Sequence, residues 1–184
     1  MRFFSILAPA ALITLVSSSA LPADPKSDGC IPAFTAHKIV DDFLKTLTAF
    51  TPENAKNLLA DAHFSDTSSS INFFTGAPLD SVTFPSKDAF IAGQGAQPPV
   101  DVKLLFIDSV TCDGIITFRW QANFKDTIAK GINILYTKQI GSDANTVGPN
   151  GFQIQTIYSE FNSATWNLGF GGTCAPPKIP SMFA

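Results

Sequence analysis

Near residue 100 the apolar spacing of this chain changes from helical to strictly alternating, and that change limits the folds open to it. Ile115–Phe124 is the clearest strand pattern. Ile116, Phe118, Trp120, Ala122 and Phe124 fall on one face, with Thr117, Arg119, Gln121 and Asn123 on the other. Val102–Val110, Gly131–Lys138 and Phe152–Phe161 read as three more strands, and a loop Gly141–Gly151 precedes the last. The Asp-Gly pair in Thr111-Cys112-Asp113-Gly114 marks a hairpin turn between the first two.

Ahead of the strands the spacing is helical. In Thr35–Phe50, Ile39, Phe43, Leu47 and Phe50 recur at three- and four-residue intervals, and Val40 and Leu44 widen the stripe. Thr51 is a natural N-cap and Pro52 suits the first helical position, so a second helix runs to about Leu59. Ala62–Phe74 reads as a short strand and a loop. Ser86 caps a third helix, Lys87 to about Ala92, ended by Gly93 and Gly95. Helices followed by consecutive antiparallel strands indicate an α+β domain with the helices on one sheet face. A long sheet with strong right-handed twist curls around such helices, so the expected form is a cone-shaped, curved antiparallel sheet with an apolar interior and one open end.

The first twenty residues carry a separate signal. Met1-Arg2, the apolar run Phe3–Val16 and the small residues Ser17–Ala20 form the pattern of a secretory leader, too short for a permanent span. The expected organisation is a leader over 1–20, one domain over 21–168 and a Gly/Pro-rich tail over 169–184, in a secreted, extracellular protein with no membrane span. The formal net charge of −3 is spread without a basic block, which argues against nucleic acid as a partner. Seventeen phenylalanines point to a large apolar core or a ring-lined cavity.

Three cysteines, Cys30, Cys112 and Cys174, imply one bridge and one spare thiol in an oxidising compartment. Cys30–Cys112 is favoured, since each flanks a structured element, and Cys112–Cys174 stays open. No Cys or His spacing suggests a metal site, and no Gly-rich loop opens a helix, so no metal or cofactor is expected.

If the even-numbered face of Ile115–Phe124 lines the cone, unbroken parity places Ile154, Tyr158 and Glu160 on the inner face of the last strand. Tyr158 and Glu160 are then candidate acid–base groups, because a carboxyl in an apolar cavity has its pKa raised by desolvation. His63 and Asp66 form a second candidate pair, although strand alternation turns them to opposite faces. Phe118, Trp120, Phe124 and Ile154 are the candidate ligand-lining residues. Arg119, on the polar face, suits a salt bridge or subunit contact.

Several segments also carry a family resemblance. Phe64-Ser65-Asp66-Thr67-Ser68-Ser69-Ser70-Ile71-Asn72, Val82-Thr83-Phe84-Pro85-Ser86, Val110-Thr111-Cys112-Asp113-Gly114, Phe118-Arg119-Trp120 and Ile157-Tyr158-Ser159-Glu160-Phe161-Asn162-Ser163 are similar to stretches of secreted ascomycete proteins with the nuclear-transport-factor-2-like fold. The resemblance implies that fold and a fungal, extracellular protein. The wider superfamily includes isomerases, dehydratases, epoxide hydrolases and polyketide cyclases, as well as non-catalytic binders, so it does not assign a chemistry.

Three readings follow. The leading one is binding of a small hydrophobic ligand without catalysis. The second is an isomerase or dehydratase using His63, Asp66, Tyr158 or Glu160. The third is a secreted protein that meets a host or cell surface through its convex sheet, or pairs there as a homodimer.

Overall fold

The computed structural model of the chain describes residues 30–140 and 148–174. The expected leader, most of the loop before the last strand and most of the tail lie outside the described residues. The α-helices and strands run α1 (Ala33–Thr48), α2 (Pro52–Leu58), β1 (Ser65–Thr67), α3 (Ser69–Thr75), α4 (Lys87–Ala96), β2 (Asp101–Val110), β3 (Ile115–Asn123), β4 (Ile128–Gln139), β5 (Phe152–Phe161) and α5 (Ser163–Gly169). No helix among the described residues is long and apolar enough to cross a membrane.

The strands form one sheet in the order β1-β5-β4-β3-β2. The four long strands are antiparallel, as the alternation predicts. The fifth, β1, is three residues long and pairs parallel with β5, bringing Asp66 beside Ile157. β2 carries two register shifts against β3, and β5 carries one against β4. Such bulges bend a strand and sharpen its twist, which curves the sheet around the helices.

α1 lays its apolar stripe into that concave face. Ile39, Val40, Phe43 and Leu44 are buried there with Ile116 and Phe118 of β3, and the Phe43 and Phe118 rings meet edge to face at 5.8 Å. Full burial of each such side chain is worth roughly 1.5–3 kcal/mol, which explains why α1 holds its place through packing rather than through caps. α2 begins as expected: the Thr51 side chain accepts the Asn54 backbone N–H at 3.1 Å, with Pro52 in the first turn.

Two expectations are corrected. The segment Ala62–Phe74 contains a helix, α3, where the run Ser65–Ser70 suggests only a strand and loop. Ser68 is its N-cap, accepting from Ile71 N at 3.0 Å, and Gly76 closes it at φ +72°. α4 also continues through Gly93 and Gly95 to Ala96. Gly93 is there for space: a Cβ would sit 2.4 Å from Cε1 of Phe84, so only glycine lets that ring lie against the helix.

The disulfide joins Cys30 to Cys112, tying the chain just ahead of α1 to the β2–β3 turn. Cys174 is a free, exposed thiol.

Candidate functional site

The bulge in β5 decides which side chains face inward. Thr137 pairs with Ile154 but Tyr136 pairs with Thr156, so Gln155 is the extra residue and the parity of the strand flips. Ile154 is buried, and after the bulge it is Ile157 and Ser159 that point in. Tyr158, 45 % exposed, and Glu160 face outward, contrary to the unbroken count. Tyr158 stacks edge to face on Tyr136 on the outer surface. Glu160 turns back to α3, where its carboxylate accepts from Ser69 N at 2.8 Å and Ser70 N at 3.1 Å.

His63 and Asp66 are not brought together. His63 is exposed in the turn before β1, at φ +61°. Asp66 is only 2 % exposed. Its backbone is pinned from both sides, by the parallel pairing with β5 and by Asp66 N→Phe84 O at 2.9 Å and Thr83 N→Asp66 O at 2.8 Å. Its Oδ1 has no hydrogen-bond partner among the described residues. Desolvation, reinforced by the negative charge of Glu160, pushes the Asp66 carboxyl up to about 8.

Asp66 lines an inner recess of about 40 Å³, together with Phe43, Phe90, Trp120, Asn133 and Ser159. An outer chamber of about 400 Å³ adjoins it, walled by Phe74, Phe84, Gly93 and Phe170. Ile71, Gln94, Gln97, Phe161 and Trp166 line both, so they stand between the two. The walls are mostly hydrocarbon with a few polar groups at the inner end, the usual build of a small-molecule site.

Of the four expected lining residues, Trp120 reaches the recess. Phe118 and Ile154 are fully buried in the core beneath it. Phe124 stands behind the wall, edge to face with Trp166 at 5.4 Å and Phe170 at 5.3 Å. Trp166 is central: its ring lies 4.8 Å from Phe161 and 5.9 Å from Trp120. It is held there by α5, whose N-cap Asn162 accepts from Thr165 N at 3.1 Å. The signal for α5 was an Asn N-cap followed by Trp166 and Phe170 four residues apart.

The α3 wall is fastened from the other side by Asn72, which is 1 % exposed. Its Nδ2 donates to Ser81 O at 2.7 Å and Pro78 O at 3.1 Å, and its Oδ1 accepts from Thr83 Oγ1 at 2.9 Å. On the outer sheet face Arg119 makes the expected salt bridge, a two-pronged contact with Asp108 with Nη2–Oδ1 at 2.7 Å. Phe106 on β2, Ile132 and Tyr136 on β4 and Tyr158 on β5 are also exposed. No group of three or more His, Cys, Asp or Glu suited to a metal ion occurs among the described residues.

Three comparisons bear on this arrangement. A family model described as an NTF2-like domain matches residues 29–173. No curated protein matches the chain. Among solved structures, one similar protein is from Catenulispora acidiphila, described as having a ketosteroid isomerase-like fold in complex with trimethylamine. It is 12 % identical, covers 76 % of this chain and 98 % of its own, with a TM-score of 0.52. A putative ketosteroid isomerase from Kribbella flavida is 8 % identical, with 82 % and 88 % covered and a TM-score of 0.50. IdmH, a putative polyketide cyclase from Streptomyces antibioticus, is 10 % identical, with 74 % and 98 % covered and a TM-score of 0.50. At these identities the structural likenesses speak for the fold alone, whereas the family model takes in most of the sequence, disulfide and chamber included. The chain belongs to the NTF2-like domain family.

Proposed function

We propose that this is a secreted fungal protein that binds a small, mostly apolar ligand in the two-part chamber, its polar end directed to Asp66. The observation that carries the reading is a buried carboxyl, its Oδ1 unpaired among the described residues, in a recess that adjoins a mostly hydrocarbon-walled chamber of about 400 Å³. Apolar burial supplies the affinity and the inner polar groups set the orientation. The disulfide suits an oxidising compartment, in line with the leader-like N-terminus.

The test uses tetralin, a bicyclic hydrocarbon, as probe. Both tryptophans of the chain line the chamber, so saturable binding should change their fluorescence. Gln97→Phe, which puts a ring into the outer chamber that Gln97 lines, should abolish the change while leaving the protein folded. Tetralin that fails to bind, or binds equally well to the variant, defeats the reading. Native mass spectrometry of secreted protein would show any retained ligand directly.

One observation favours a second reading, an isomerase or dehydratase. A carboxyl with a pKa of about 8 is suited to take and return a proton near neutrality. Asp66 would act without His63, Tyr158 or Glu160, which lie outside the chamber. Turnover abolished by Asp66→Asn, with ligand binding kept, would establish it; binding without turnover at any pH would exclude it.

A further inference from the structure

Asn133 sits at an inward position of β4, fully buried, and lines the recess with Asp66. Its amide is oriented by a contact that permits one arrangement only. The Trp120 indole N–H donates to Asn133 Oδ1, and an indole nitrogen cannot accept, so the amide cannot be turned end for end without losing the bond. Nδ2 is therefore the end left over, and it has no hydrogen-bond partner among the described residues. A buried donor left in this way is rare in a folded protein and calls for an explanation at its site.

We infer that Asn133 is the specificity-determining donor of the chamber, and that the ligand it selects is an uncharged molecule carrying a carbonyl oxygen. The inference rests on the ligand-binding reading above and adds the chemical class. A carbonyl oxygen has two lone pairs and needs no donor of its own. It can accept from Asn133 Nδ2 and, while Asp66 is protonated, from the Asp66 carboxyl as well. An ammonium group would pair with ionised Asp66 but leave Nδ2 facing a cation. A ligand carboxylate would be desolvated next to Asp66 and close to Glu160. The recess, about 40 Å³, has room for a functional group rather than a ring, so the hydrocarbon body stays in the outer chamber.

The experiment titrates the disulfide-bonded protein at pH 6.5 with three probes of one shape, 2-tetralone, tetralin and 2-aminotetralin. The ketone should bind roughly tenfold or more tightly than the hydrocarbon, the amine no better than the hydrocarbon. Asn133→Leu should bring the ketone down to the hydrocarbon's affinity and leave the hydrocarbon's unchanged. If that variant fails to fold, Trp120→Phe, which frees the amide to turn, should reduce the ketone preference in its place. Tetralin binding with no preference for tetralone overturns the inference and leaves the pocket reading standing, as does a preference for the amine. A ketone preference that survives in the variant overturns it too. Binding by none of the three overturns both.

Discussion

Glu160 and Ser70, ninety residues apart, are joined at two points: the Glu160 carboxylate receives the Ser70 backbone N–H at 3.1 Å and its hydroxyl at 2.5 Å. The Ser70 hydroxyl in turn accepts from Phe161 N at 3.0 Å, so the start of α3 is fastened to the end of β5. Ile71 and Phe74 follow on α3 and line the chamber. An exposed glutamate thus holds one wall of a pocket it does not enter.

Replacing Glu160 by Ala should therefore loosen that wall, at a cost of about 0.5–2 kcal/mol, the usual range for removing an N-terminal cap. It should also remove the negative charge that helps raise the Asp66 pKa, moving that pKa toward the ordinary carboxylate range. Urea denaturation measures the first effect and carbon-13 titration of the Asp66 carboxyl the second. An unchanged Asp66 titration would mean the two carboxyls do not interact.

Asp66 should make stability fall as pH rises. Its pKa is 3.8 in the unfolded chain and about 8 in the fold, so between those values the native state holds a proton that the unfolded state has lost. Across that window the Asp66 contribution declines by up to about 1.4 kcal/mol per pH unit, and it is flat outside it. Asp66→Asn should remove this slope and be more stable than the parent at pH 8. Denaturant midpoints from pH 4 to 9 for the two proteins decide the matter.

Gly131→Ala should be among the more damaging single-atom additions to the chain. The new Cβ would lie 2.3 Å from Trp120 Cζ2 and 2.9 Å from Phe161 Cβ, against two residues of the recess wall. Overpacking of this kind costs roughly 1–3 kcal/mol. Because Trp120 must move, its bond to Asn133 should weaken as well. A lower denaturation midpoint with altered tryptophan emission is the expected result.

Reducing the Cys30–Cys112 bridge releases a loop with a sequence separation of 82. Loss of such a constraint is worth about 4 kcal/mol when the bond is unstrained. Thermal melts with and without reductant should differ accordingly. Under non-reducing, native conditions iodoacetamide should label one thiol, that of Cys174.

Much of the architecture is legible along the chain because it is set by local spacing. Alternation in Ile115–Phe124 places Ile116, Phe118, Trp120 and Ala122 inward, and the Thr51-Pro52 pair starts α2 where it should. α3 is less legible. Its serines are turn formers by composition, and they become helical through capping by Ser68 and by a glutamate far away in sequence.

The pocket chemistry depended on the assembled fold. One inserted residue, Gln155, turned Tyr158 and Glu160 out and Ser159 in, and a bulge arises from strand pairing rather than from any residue type. Asp66 became a perturbed carboxyl only once β5 and the Phe84 segment had buried it on both sides. Asn133, by sequence one polar residue among several in a strand, becomes an oriented donor because Trp120 takes its oxygen. Spacing along a chain dictates which faces are apolar, because each side chain's direction follows from its own backbone. Which polar group ends up desolvated, and beside what, depends on neighbours contributed by distant segments, and tertiary packing alone brings those together.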